Sequence, residues 1–163
     1  GGGRESLYRL PPTQFSGQRE LVLSGFREER SAGILVFIKA RPIRYLLLIN
    51  KGRFDIPKGL LRPKEDELAG ALRELREETG IDKIRIVEGF RHHVRYFYRW
   101  EGTLVKKTVV YFLGEAEDDR VRLSHEHDSY SWMTKDEVMA HVKYRGMKEI
   151  VREAERLLAS KLN

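Results

Sequence analysis

The chain has 163 residues and no cysteine, which excludes disulfides, thiolate metal sites and a cysteine nucleophile. A metal site here would have to be oxygen-bound. No apolar run is long enough to cross a bilayer, and no charged-then-apolar leader with a cleavage site opens the sequence, so a soluble cytoplasmic protein is expected, with no membrane partner. Repeats and a second domain are also missing, and the length suits one domain with a sizeable core. Acidic residues are in deficit, 25 Asp and Glu against 31 Lys and Arg, for a formal charge of +6. That balance suits an anionic partner such as a polyphosphate or nucleic acid. The basic residues are scattered, so a charged fraction of 34% fits a well-solvated surface equally well. Gly1-Gly2-Gly3 looks like an expression remnant or trimmed start and is set aside.

What is present sorts into an illegible beginning and a patterned remainder. Residues 1–30 read as an N-terminal extension in which Pro11-Pro12 breaks regular structure, Leu21-Val22-Leu23 suits a short strand and Arg27-Glu28-Glu29-Arg30 is a charged lead-in. The domain proper is expected over residues 31–163. Ile34-Leu35-Val36-Phe37-Ile38 and Tyr45-Leu46-Leu47-Leu48-Ile49 are buried strands around a turn, predicting a hairpin. Residues 84–98 and 105–113 are two long strand candidates joined around Gly102. On the first, Val94, Tyr96 and Tyr98 share one parity while Arg91, His93, Arg95 and Arg99 share the other. Thr134 and Glu137 form a capping box that starts a helix. Gly146 should separate it from a last helix at residues 147–158, whose Ile150, Ala154, Leu157 and Leu158 mark a core face. This order of strands and helices predicts an α/β (α+β) domain, an α/β/α sandwich around a mixed sheet.

The chemistry concentrates between Gly59 and Ile81. Leu68, Ala71, Leu72 and Leu75 recur at i, i+3, i+4, i+7, the apolar stripe of a core-packed helix. On it, Glu74, Glu77 and Glu78 point the same way, beside the stripe. Three gathered carboxylates repel, and a hard divalent cation that takes oxygen ligands would turn the cluster into a site. A solvated helix face with Arg73-to-Glu77 support would carry the same short run. It would have no reason to place Gly59, Glu65 and Gly80 where they stand. Gly80 suits the helix C-cap, and Gly59 lets backbone approach a ligand closely.

Gly59, Glu65 and Arg73-Glu74-Leu75-Arg76-Glu77-Glu78-Thr79-Gly80-Ile81 fill every specified position of a pattern that resembles the Nudix box. The resemblance implies the Nudix fold and metal-dependent hydrolysis of a nucleoside diphosphate linked to another group. It implies Mg²⁺ or Mn²⁺ held by the Gly59 carbonyl, Glu74, Glu77 and Glu78. It also gives Arg73 the task of orienting a box carboxylate, with Glu65 supporting the helix. Beyond the box, Phe54-Asp55-Ile56-Pro57-Lys58-Gly59, Glu88-Gly89-Phe90, Lys107-Thr108-Val109-Val110-Tyr111-Phe112 and Leu123-Ser124-His125-Glu126-His127 resemble, in order, the asymmetric diadenosine tetraphosphate hydrolases. Water attack on a dinucleoside tetraphosphate, releasing AMP and ATP, is the reaction this implies.

The same resemblance makes Glu126 a metal ligand or a base, so that Glu74 and Glu126 are both candidates for taking the proton from water. Lys58 and Lys107 suit phosphate oxygens as point charges. Tyr96 is placed either as an adenine-stacking aromatic or as plain core. His125 and His127 are second-choice partners for Mg²⁺ and better read as hydrogen-bond posts. The chain departs from that group at Phe54, where Trp is usual, at Leu60, where His is usual, and at Lys64 in the turn before Glu65. Leu60 removes a polar group near the phosphates, which is expected to shift substrate range. The competing tasks are removal of pyrophosphate from an RNA 5′ end, cleavage of diphosphoinositol polyphosphates, and metal-independent nucleotide or RNA binding without catalysis.

Overall fold

The structure, a computed structural model, describes residues 26–162. The expected strand at Leu21-Val22-Leu23 lies outside them. Strands β1 (Phe26–Ile38), β2 (Arg44–Asn50), β3 (Arg53–Asp55) and β4 (Lys58–Leu60) precede helix α1 (Glu67–Thr79). Strands β5 (Ile84–Ile86), β6 (His92–Trp100), β7 (Thr103–Ala116) and β8 (Ser129–Thr134) follow, and helices α2 (Lys135–His141) and α3 (Arg145–Leu162) close the described chain. All eight strands join one mixed sheet. Its spine is the parallel pairing of β1 with β7, continuous from Phe26 opposite Leu104 to Phe37 opposite Glu115. β4 borders the middle of β1 and β2 its end, while β6 and β5 share the far edge of β7.

Alternation along the strands sends side chains to two cores. Ala32, Ile34, Val36, Leu46 and Leu48 meet Ala71 and Leu75 of α1. Leu35, Phe37, Tyr45, Leu47, Val109 and Leu113 meet Val138 of α2 and Ile150, Val151, Ala154 and Leu158 of α3. The α/β/α sandwich around a mixed sheet is therefore the observed architecture.

Four local expectations change. The charged run Arg27-Glu28-Glu29-Arg30 is no lead-in but the opening of β1, and Glu29 is buried there. The hairpin of residues 34–38 and 45–49 pairs only at Phe37 with Tyr45 and Ile38 with Arg44, and further back the same edge of β1 is taken by β4 and its preceding loop. The single strand expected over 84–98 breaks into β5 and β6 around Gly89, whose φ of 90° suits only a residue without a side chain. Gly146, expected to separate two helices, lies inside α3. A Cβ there would meet the Tyr144 ring and Val94 at 2.8 Å, so this glycine serves close packing.

Candidate active site

Helix α1 is fixed at both ends by its own sequence. The Asp66 carboxylate caps its start by accepting from the Ala69 amide at 3.0 Å, and Gly80, at φ 73°, ends it with its N–H on the Arg76 carbonyl. The loop before it is pinned to the sheet, with Ile34 N donating to Pro57 O at 3.1 Å and Leu61 N to Arg30 O at 3.0 Å. These bonds set Gly59 against the helix. A Cβ on Gly59 would lie 2.1 Å from the Glu74 carboxyl carbon, so only glycine allows the contact.

Arg73, 13% exposed, is the hub. Its guanidinium donates to both Glu65 oxygens at 2.8 and 2.9 Å, to the Leu60 carbonyl at 3.1 Å, to Glu74 Oε1 at 2.8 Å and to Glu77 at 3.4 Å. It thereby ties the loop, the helix and two box carboxylates together, and its charge holds the Glu65 carboxyl down at about 2. Glu78 is buried and accepts from the Lys58 backbone N–H at 3.0 Å. Burial first, then Asp55, Glu74 and Glu126, push its carboxyl up to about 9, while Lys58 pulls the other way. Burial likewise raises Glu74 against the opposing pull of Arg73, with Glu77 and Glu126 adding to the rise.

The structure thus brings Gly59, Arg73, Glu74, Glu77, Glu78 and Glu126 into one neighbourhood. Among the described residues, no three acidic or histidine side chains converge as ligands of one cation. The reason is visible in Arg73, which draws Glu74 and Glu77 towards its own nitrogens, and in the mutual repulsion of Glu74, Glu78 and Glu126. The donor set nevertheless fits a hard divalent ion. It is all oxygen, it is strained by like charge, and Asp55 adds a buried Oδ1 with no hydrogen-bond partner among the described residues.

Asp55 is the residue that sequence reasoning missed. It forms a 2.9 Å ion pair with Lys58, and its charge is felt by Glu78, Tyr96, Lys107 and His127. Its place within Phe54-Asp55-Ile56-Pro57-Lys58-Gly59, one of the segments that carry the resemblance, was the available signal. Tyr144 was missed too. Its ring meets that of Tyr96 edge-on at 6.0 Å, and both pack against the core on the α3 side of the sheet.

Lys107 departs from its expected display. It is 1% exposed and faces Glu29 at 3.4 Å, with the Tyr98 hydroxyl donating to the same carboxylate at 2.9 Å. Burial, then the Lys58 charge, lower its pKa to about 7. A point charge on substrate phosphate is therefore not what this side chain presents as it stands. Leu60 packs against Tyr98 and Val105. His125 is exposed, while His127 is half-buried, lowered in pKa by burial, with Nδ1 lacking a hydrogen-bond partner.

Comparison with known proteins agrees with this geometry. A family model described as the NUDIX domain matches residues 27–154. The asymmetrical bis(5'-nucleosyl)-tetraphosphatase of Sus scrofa is 37% identical over 145 residues, covering 80% of this chain and 96% of the relative. That of Mus musculus is 41% identical over 108 residues, covering 64% and 71%. The crystal structure of a C. elegans Ap4A hydrolase binary complex superposes with a TM-score of 0.72 at 31% identity, covering 81% of this chain and 98% of the other. Nudix hydrolases generally use divalent metal ions. With its complete box, its two-core sandwich and these relatives over most of its length, the chain belongs to the Nudix family as a pyrophosphohydrolase.

Proposed function

We propose that this enzyme hydrolyses dinucleoside polyphosphates, with diadenosine tetraphosphate giving AMP and ATP as the preferred reaction. The observation that carries the reading is the fit of Gly59 against Glu74 beside the buried Glu78, an oxygen-only pocket locked by Arg73. Relatives named for tetraphosphatase activity over 80% of the chain supply the substrate class.

The Gly59 carbonyl, Glu74, Glu77, Glu78 and Glu126 would hold Mg²⁺ or Mn²⁺. When bound, the ion neutralises phosphate charge and lowers the pKa of a coordinated water. Arg73 fixes the direction of Glu74 by a charge-assisted bond, so that the carboxylate need not reorganise during reaction. Glu126, exposed and without a side-chain partner among the described residues, is the carboxylate free to accept the proton as water attacks phosphorus in line with the leaving phosphate. Lys58 lines the approach to the phosphates, and Tyr96 with Tyr144 offers aromatic surface for one adenine. Lys107, buried against Glu29, stands behind that wall as part of its support.

The test is chromatography of products from diadenosine tetraphosphate and Mg²⁺ with the wild type and with Glu77→Gln. Equal AMP and ATP from the wild type alone are expected. Intact substrate in both reactions would reject the assignment.

A further inference from the structure

The strands that carry Tyr96 and Lys107 have a second face. On β6 the outward side chains are His93, Arg95, Phe97 and Arg99, and all four are exposed, Phe97 at 44%. The register completes a grid across three strands. Arg99, Leu104 and Phe26 form one row, Phe97, Lys106 and Glu28 the next, and Arg95, Thr108 and Arg30 the third. Alternation puts this grid on the α1 side of the sheet, but α1 reaches it only at its edge, where Glu67 takes Arg30 and Arg91. No helix covers the rest among the described residues. Glu28 is the one carboxylate within the grid and stands 3.5 Å from Lys106. Among the described residues Arg95 and Arg99 make no ion pair.

We propose that this face is a docking platform for single-stranded nucleic acid, separate from the catalytic cleft. Three observations favour that occupant. An exposed aromatic side chain, Phe97, stands on a strand between two guanidinium groups that make no ion pair among the described residues, the combination that stacks a base while holding flanking phosphates. Alternate residues on the strand stand about 7 Å apart, a step that an extended nucleotide backbone can follow. With Arg30 taken by Glu67, the remaining cations, Arg95, Arg99 and Lys106 against Glu28, complement a polyanion, as does the +6 charge of the whole chain. A groove-bound duplex would need a protruding element, which this flat face lacks. The platform is built on the opposite side of the sheet from Tyr96 and Lys107, so the dinucleotide substrate does not need it.

Fluorescence anisotropy of a labelled single strand of about ten uridines, titrated with the full chain between roughly 50 and 200 mM salt, tests the proposal. Binding should weaken with salt at a log–log slope of about −2, each of three cations contributing about −0.7. Arg95→Gln with Arg99→Gln should flatten that slope to about −0.7. Phe97→Ala should weaken binding about tenfold and leave the slope unchanged. Diadenosine tetraphosphate turnover should be the same in all three proteins. The proposal is overturned if the wild type does not bind, or if the variants bind as it does. It is equally overturned if excess dinucleotide displaces the strand, which would place binding in the cleft. Two further results would give the face to another occupant and also overturn it. One is binding of phosphatidylserine vesicles in preference to the oligonucleotide, and the other is a dimer in sedimentation that Phe97→Ala dissolves.

Discussion

An ammonium and a carboxylate buried together, Lys107 against Glu29, lose more hydration than a surface pair ever does, and removing one partner strands the other. Lys107→Met alone should therefore cost about 3–5 kcal/mol in urea unfolding, whereas Glu29→Gln with Lys107→Met should cost far less. The pair also writes a pH signature. Lys107 titrates near 7 in the folded chain and near 10.5 when unfolded, so between those values the unfolded chain holds the extra proton. Its contribution to stability accordingly rises with pH across that window. Wild-type stability minus that of the double variant should be larger at pH 9.5 than at pH 7, and a flat difference would reject this account. Neither partner was legible in the sequence. Glu29 lies in a run of alternating charge that resembles solvated chain, and only the parallel partner β7, far along the sequence, buries it. The box residues were legible because their spacing is local to one helix, and Asp55 was overlooked because its neighbours act on it only in three dimensions.

Strand β4 is three residues long, so its placement depends on its partner more than on itself. It meets β1 at Ser31, Ala32 and Gly33, and a Cβ on Gly33 would come 2.4 Å from the Pro57 carbonyl. That contact is with backbone and cannot be relieved by a rotamer. Gly33→Ala should lift β4, costing about 1–3 kcal/mol, and should lower kcat by moving Gly59 away from Glu74. A thermal melt and a steady-state assay on the same preparation check both, and normal kcat would separate the loop from the site. The short helix α2 leans on its capping box, with Thr134 and Glu137 bonded reciprocally at 3.2 and 2.9 Å. Thr134→Ala should cost about 1 kcal/mol with turnover unchanged. This cap was readable in the sequence because it closes within four residues. The break between β5 and β6 was not, since Glu88-Gly89 sits in an otherwise strand-like stretch and the turn depends on backbone geometry alone.

For the molecule as a whole, the two-core sandwich could be read from the order of strands and helices, because each core-facing stripe follows a local period. What could not be read was how far β1 extends and which strand lies beside it. Ligand linkage is the natural probe of the assembled site. Mg²⁺ or Mn²⁺ at about a hundred times its dissociation constant should stabilise the folded chain by about 2.7 kcal/mol, seen as a raised melting temperature that chelation reverses. Glu74→Gln with Glu78→Gln should remove the rise, and an undiminished rise would place the ion elsewhere. The spine of the sheet carries a consequence for biosynthesis. β1 opposes a strand whose residues leave the ribosome only after 103, so a nascent chain that already holds the complete box still presents one long unpaired strand edge. Until residue 116 emerges, the catalytic helix rests on a half-built sheet, and this interval is when the chain is most exposed to aggregation and to chaperones.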